Sequence, residues 1–371
     1  MADKRLIAPE YTNSQVAHAG NMVRKGRITD RCEEIIENWR SSHNHVLNTW
    51  WVILFHRIQK LKIDATAGQR LKRRSTIYDK LTNRPEMPGM SLRRMYDIAG
   101  CRVVFDNEED LYFFRDSILT ESRFKHKYMK QYHKDYIRSP KDSGYRGVHD
   151  IFSYKSDVGR PEKWNGLYVE IQYRTKYQHA WATAVEVADV IKKSRTKFSA
   201  KADAKQNEFF KYASEIIARV YENHTSCFPD LADQELVDKF KKINNEIQLL
   251  DLLHSVNKSN LDFRDKNKKA LILRQVTNDG EVRVESEAFK STSEANSRLY
   301  ELEKAFPDDN IVLVKADNIS DIKNIFRNYF TDSKAFVSYI KEGIKFLSAG
   351  KRAPVNKSPR HKQRKQLFLF D

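Results

Sequence analysis

The chain has 371 residues, 40% of them hydrophobic, and carries 67 Lys and Arg against 50 Asp and Glu, a formal charge of +17. That length holds two domains with buried cores, and the sign of the charge favours phosphate-bearing partners. Three scattered cysteines, Cys32, Cys101 and Cys227, argue against a disulfide framework or a cysteine zinc site, and the longest apolar run, WWVILF at 50–55, is too short for a membrane span, so a cytoplasmic, soluble protein is expected.

In chain order, residues 12–62 are predicted helical, because Ile35, Ile36, Trp39, Val46, Leu47, Trp50, Trp51 and Leu54 recur at three- and four-residue steps. From 66 to 90, Gly68, Pro85, Pro88 and Gly89 bracket a basic segment, in which Ile77 and Leu81 mark a short amphipathic helix entered through a basic loop. The period then changes. CRVVF (101–105), VHDIFSY (148–154) and GLYVEIQYR (166–174) are predicted strands, with helices over 106–119 and 176–191. In VEIQYR, Val169, Ile171 and Tyr173 alternate with Glu170, Gln172 and Arg174, which gives one core face and one polar face.

Helices are predicted again over 209–222 and 235–256. A second unit follows with the pattern ββαβαα, whose two helices after the last strand cover 319–330 and 333–347. Residues 351–371 are a basic tail ending in the apolar QLFLF, which folds back on the protein or resembles the short peptide that docks on sliding clamps. The expected domains are 1–225, a helical connector at 226–260, a small unit at 261–350, and the tail.

Several side chains carry chemistry. Asp97 precedes a strand that places Arg102 opposite Cys101 and Val103; by itself an Asp at a strand entrance reads as a turn or cap residue. Glu170 stands on a polar strand face, and two carboxylates on neighbouring strands suit a magnesium ion whose other ligands are substrate phosphates. Around them lie Arg70, Lys72, Arg73, Arg74 and Lys80, and then Lys125, Lys127, Lys130, Lys134, Arg138 and Lys141 interleaved with Phe124, Tyr128, Tyr132 and Tyr136. Cations alternating with flat rings suit nucleotides and single-stranded nucleic acid, although the four-residue spacing of those rings also fits a core-facing helical stripe. His43 and His45 have no acidic or cysteine partner that would make a metal site, and His224 reads as structural.

Four motifs in order, Arg70-x-Lys72-x-x-Ser75-Thr76, DIAGCRVVF, DYIRSPKDSGYRGVH and VEIQYRTKYQHAWA, resemble the synthetase domain of the RelA/SpoT family of alarmone synthetases over about residues 15–225. The resemblance implies an α+β, nucleotidyltransferase-like mixed sheet flanked by helices. It also implies an ATP-dependent pyrophosphokinase that uses magnesium and moves the β,γ-pyrophosphate of ATP to a ribose hydroxyl. By matching position, Asp97 and Glu170 are the catalytic, magnesium-holding carboxylates. Arg70, Lys72, Ser75 and Arg102 hold ATP, with Arg115 a second arginine against the adenine. Lys141, Tyr145, Arg146, His149, Gln172, Arg174 and His179 receive the acceptor, with Tyr145 stacking on its base. Members often carry Glu-His where this chain has Glu186 and Val187, which leaves the role of Glu186 open.

Two acceptors are open within the family: a guanine or adenine mononucleotide, giving an alarmone, or the 3′ end of tRNA, as in the toxic small alarmone synthetase branch, which HAWATAVE resembles. The charge and the cations Lys125, Lys127, Lys130, Lys134 and Arg138 favour tRNA. A non-catalytic RNA-binding module is the third reading, disfavoured by the two carboxylates. The domain order resembles the fused toxin-antitoxin CapRel proteins of antiphage defence. That resemblance implies a monomer restrained by its C-terminal unit until a phage capsid-type protein binds, with Tyr329, Phe330, Phe336 and Tyr339 either plugging the adenine site or serving as the small unit's own core.

Overall fold

The computed structural model describes residues 7–82, 90–121, 125–157, 160–194, 200–250, 253, 270–278, 281–307, 309–315 and 332–354. The helical stretch expected at the N-terminus is two helices, α1 (Asn13–Arg24) and α2 (Asp30–Leu61). Thr12 and Gln15 form a reciprocal capping box that starts α1, and the break falls where Gly26 takes φ +64 and the Thr29 side chain accepts from the Cys32 amide to start α2. The segment expected as a basic loop is partly a strand, β1 (Ala65–Leu71). After it, α3 (Arg74–Thr82) buries Ile77 and Leu81, as their spacing predicts.

The remaining strands of this sheet are β2 (Ala99–Phe105), β3 (Lys127–Tyr128), β4 (Lys134–Asp135), β5 (Val148–Ser153) and β6 (Tyr168–Thr175), with α4 (Glu108–Leu119) after β2. Their order is β1-β2-β6-β5-β3, with β4 also on β5; β2 and β6 run parallel and the other pairings are antiparallel. This is the mixed α+β sheet expected. One face carries Cys101, Val103, Phe105, Val169, Ile171 and Tyr173 into a core shared with α2 and α4. In that core Phe114 packs on Phe105 at 5.3 Å and Trp50 on Phe152 at 4.4 Å. The other face is polar.

Helices α5 (Lys176–Ser194), α6 (Ala200–Tyr221) and α7 (Asp233–Ile247) build a second core. The helix expected to run to residue 256 ends at Gln248, which takes the left-handed conformation. A smaller unit follows: β7 (Ala270–Asn278), β8 (Glu281–Phe289), α8 (Thr292–Ala305) and β9 (Asn310–Lys315), with strand order β8-β7-β9. Ala295, Leu299 and Leu302 of α8 cover Ile272, Ile311 and Leu313.

The last described helix, α9 (Asp332–Ser348), was expected to belong to that unit. Instead it packs on α5, α6 and α7, burying Phe336, Val337, Ile340 and Leu347 there. The reason is its apolar face, which matches the helical core, and Gly343, where a Cβ would stand 2.7 Å from Ile216 Cγ2. The small unit is therefore an insertion between α7 and α9. The second helix of the ββαβαα pattern (319–330), Tyr329, Phe330, Phe124 and the QLFLF tail lie outside the described residues. Among the described residues no helix is long and apolar enough to cross a membrane.

Candidate active site

The register of four strands assembles the polar face. Arg70 of β1 lies across from Gly100 of β2, Gly100 from Glu170 of β6, Arg102 from Gln172, and Gln172 from His149 of β5. Directly paired residues project to the same side. Arg70, Arg102, Glu170, Gln172 and His149 thus share one surface, and Gly100 leaves its centre without a side chain.

Asp97 stands just before β2. Lys72 Nζ donates to its Oδ2 at 2.6 Å, and Lys80 Nζ donates to both oxygens at 3.0 and 3.1 Å. Lys72 is placed by its own backbone, whose amide extends the β1–β2 ladder to the Ile98 carbonyl at 2.8 Å. Burial pushes the Asp97 carboxyl up, but the two ammonium groups outweigh it and hold the pKa at about 2. For Lys72 burial dominates and lowers its pKa, with Asp97 opposing.

Glu170 is fixed from both sides. His149 Nδ1 lies 2.9 Å from Oε1, and Gln172 Nε2 donates to Oε2 at 2.7 Å. Burial raises the Glu170 pKa and His149 lowers it, with a net lowering, so the carboxylate is ionised and accepts the His149 Nδ1–H. The other ring nitrogen of His149 shares a 2.5 Å hydrogen bond with the Tyr145 hydroxyl, to which Arg174 Nη2 and Nε donate at 2.9 and 3.1 Å. Burial lowers the His149 pKa, yet Tyr145 and Glu170 raise it to about 9.

Tyr145 sits on a loop that needs glycine. Gly144 has φ +88, and a Cβ there would stand 3.0 Å from Ser214 Cβ and 3.2 Å from Trp181, while Ser214 Oγ donates to the Gly144 carbonyl at 2.6 Å. The Lys141 ammonium lies 4.4 Å from the Tyr136 ring centre and 5.1 Å from that of Tyr145. Lys125, Lys127, Lys130, Lys134, Arg138 and Lys141 are all exposed, with Lys125 paired to Asp157.

This constellation can be set beside known proteins. Residues 69–197 match the family described as a region found in RelA/SpoT proteins. GTP pyrophosphokinase YjbM of Bacillus subtilis is 27% identical over 179 residues, which is 48% of this chain and 79% of that protein. The likeness over residues 69–197 is that of a RelA/SpoT pyrophosphokinase domain. Among solved structures, small alarmone synthetase 1 of Bacillus subtilis bound to pppGpp is 22% identical with a TM-score of 0.39, covering 56% of this chain and 94% of that one. Small alarmone synthetase 2 of the same organism is 22% identical with a TM-score of 0.40, covering 49% and 92%.

Not every expected site residue of the RelA/SpoT domain stands in its cleft. Arg115, expected against the adenine, reaches the opposite face of the sheet: its Nε and Nη2 hold the fully buried Asp150 at 2.7 and 3.1 Å, with Tyr128 and His133 on the same carboxylate. Arg146, expected on the acceptor, is 2% exposed and bound to Glu222 of the α6 end and Glu108 of α4, so it anchors the Tyr145 loop instead. His179 is buried on α5, both ring nitrogens shut off from solvent. Ser75 is exposed at the start of α3.

Of the rings expected either to plug the adenine site or to form the small unit's own core, the two that are described lie in the helical core of α5, α6 and α7. Phe336 packs on Phe209 and Phe210, and Tyr339 on Tyr177 at 4.9 Å and Tyr221 at 5.3 Å. Sequence reasoning passed over Lys80 as a partner of Asp97, and Tyr136 beside Lys141. It also missed Arg40, a fully buried arginine whose Nε donates to the Lys72 carbonyl at 2.8 Å. The basic run before Asp97 was the signal for Lys80; for Arg40, inside a helical stripe, there was none.

Proposed function

We propose that this domain transfers the β,γ-pyrophosphate of ATP to a ribose hydroxyl at the 3′ end of tRNA, which blocks translation, and that the inserted unit restrains it. The observation that carries the reading is the strand register, which sets Glu170 on one face with Arg70 and Arg102, while Asp97, held by Lys72, stands at the entrance of the β2 strand beside it. The hydroxyl oxygen attacks the β-phosphorus, the bond from that phosphorus to the α–β bridging oxygen breaks, and AMP leaves. The hydroxyl proton passes to Glu170. Arg70, Lys72, Ser75 and Arg102 receive ATP, and Tyr145, Lys141, Gln172 and Arg174 receive the acceptor. Positioning and charge neutralisation supply most of the rate in such transfers.

A magnesium ion fits this donor set. Two neighbouring carboxylates suit an ion that takes its other ligands from phosphates and water, and among the described residues no group of three or more His, Cys, Asp or Glu forms a closed cage. Asp97 and Glu170 would hold it, and when bound it neutralises phosphate charge. Lys72 and Lys80 neutralise Asp97 in the present arrangement, and these ammonium groups are then free to turn to ATP.

Exposed Lys134, paired with His149 across β4 and β5, and exposed Lys127, Lys130 and Arg138 of the same basic segment support tRNA as the acceptor, since a polyanion gains from many cations and a mononucleotide needs few. The likeness to a GTP pyrophosphokinase supports a second reading, a mononucleotide acceptor. For the restraint, the support is the docking of α8. Glu303 holds Arg40 at 3.1 Å and the Tyr300 hydroxyl meets Ser41 Oγ at 2.8 Å, next to the Lys72 backbone. Release by a phage capsid-type protein rests on the resemblance of the domain order to fused toxin-antitoxin proteins.

The test is incubation of the full chain, both native and with the docked face weakened by Tyr300→Phe/Glu303→Gln, with γ-labelled ATP, magnesium, and either deacylated tRNA or GDP and GTP. Label is expected on tRNA, and none with Asp97→Ala or Glu170→Ala. Label on the mononucleotide selects the second reading, and transfer that survives Asp97→Ala removes both.

A further inference from the structure

Tyr145 is expected to present its ring to the acceptor base, and that role uses none of its hydroxyl. Yet the hydroxyl is the most heavily engaged atom of the residue. Arg174 donates to it from two nitrogens and His149 Nε2 lies 2.5 Å away, while the far nitrogen of the same imidazole contacts Glu170 at 2.9 Å. An imidazole with a partner on each nitrogen has its ring plane and rotation fixed. A carboxylate held by that ring on one oxygen and by Gln172 on the other is fixed in turn.

The strand register makes this line of contacts structural. His149 and Gln172 are directly paired across β5 and β6, so Glu170 and His149 stand diagonally on one face, within reach of each other. Tyr145 arrives from the loop before β5, where Gly144 and the buried Arg146 anchor the backbone on α6. Tyr136 closes the far side, its ring edge-on to both Tyr145 at 5.7 Å and His149 at 5.5 Å.

We infer that the Tyr145 hydroxyl and His149 are positioning residues that set the orientation of Glu170, so that the side chain receiving the acceptor base also aligns the carboxylate that acts on the acceptor hydroxyl. The inference rests on the reading of Glu170 as the group that takes the hydroxyl proton. It separates two parts of one tyrosine. The ring governs how well the acceptor binds, and the hydroxyl governs how fast the bound acceptor reacts. A contact that acts only through the geometry of the reacting complex lowers kcat and leaves KM alone.

The experiment measures kcat and acceptor KM for the full chain with γ-labelled ATP and whichever of deacylated tRNA or GDP accepts label. Tyr145→Phe keeps the ring and is expected to lower kcat by roughly tenfold to a hundredfold, the scale of a misplaced catalytic group, with acceptor KM within about twofold. Tyr145→Leu removes the ring and is expected to raise KM as well. His149→Asn keeps an N–H toward Glu170 without reaching Tyr145, and is expected to retain more activity than His149→Ala. The double variant Tyr145→Phe/His149→Asn should be no slower than His149→Asn, because the hydroxyl then has nothing left to act through. Wild-type kcat in Tyr145→Phe, a KM effect in that variant without a kcat effect, or additive losses in the double variant would each overturn the inference. Transfer by Glu170→Ala at the wild-type rate would instead remove the reading beneath it, so the two failures are distinct.

Discussion

At the scale of single residues, the site pairs opposite charges that compensate one another. Asp97 carries two ammonium groups, and Glu170 carries an imidazole whose pKa is raised to about 9. The sign of each shift sets a pH window. A histidine whose folded pKa lies above its usual 6.5 stabilises the fold fully below about pH 6.5, and that contribution is lost as the pH rises through about 9. Asp97, held at about 2, contributes above its usual 3.8 and loses its contribution only as the pH falls through about 2. The alkaline side is therefore the informative one. The melting temperature of His149→Gln should lie below that of the native chain near pH 7 and approach it near pH 10, as followed by circular dichroism. A gap that stays constant over that range would show that charge on His149 contributes nothing to the fold.

At the scale of elements, α9 closes the helical core built on α5, α6 and α7, and its approach depends on one missing side chain. A Cβ at Gly343 would sit 2.7 Å from Ile216 Cγ2, on a β-branched, fully buried residue with little room to move. Gly343→Ala should therefore destabilise the chain by about 1–3 kcal/mol, the cost of overpacking, despite the helix propensity that alanine adds; urea unfolding measures it. The destination of α9 was hidden in the sequence. Its apolar periodicity gives a helix and a buried face, but not which core receives that face. Strand β1 was hidden for another reason: ATAGQRL is short of large apolar residues, and its alternation is blurred by an open polar face. Tyr128, Tyr132 and Tyr136 are four apart, which matches a helical stripe and equally a same-side set in extended chain, and the chain there is short strands and a tight turn. Strands β2, β5 and β6 were legible because their alternation is clean, and with them the placement of Glu170, Gln172 and His149. Arg115 and Arg146 were misread because their acids, Asp150 and Glu222, lie 35 and 76 residues away along the chain. An arginine seen without its partner reads as a ligand.

At the scale of the whole molecule, the small unit is held at both ends by helices of the second core, α7 before it and α9 after it, while α8 reaches across to α2. Simple truncation after the second core would remove α9 and uncover the apolar faces of α5 and α6, so a loss of activity in such a chain would report unfolding and not regulation. Point changes at the docked face avoid this. Tyr300 and Glu303 meet Ser41 and Arg40, and Arg40 grips the carbonyl of Lys72, whose ammonium lies on Asp97. If the unit restrains the enzyme, it does so by holding this loop on the carboxylate. Tyr300→Phe/Glu303→Gln keeps the volume of both side chains, removes the Tyr300 hydroxyl bond and leaves Arg40 an uncharged acceptor in place of Glu303, with Glu37 remaining as its counter-ion. Pyrophosphate transfer by the full chain should then rise severalfold, with the melting temperature lowered only modestly. An unchanged rate would remove restraint through this contact, and a falling rate would show that the docked unit supports the ATP site.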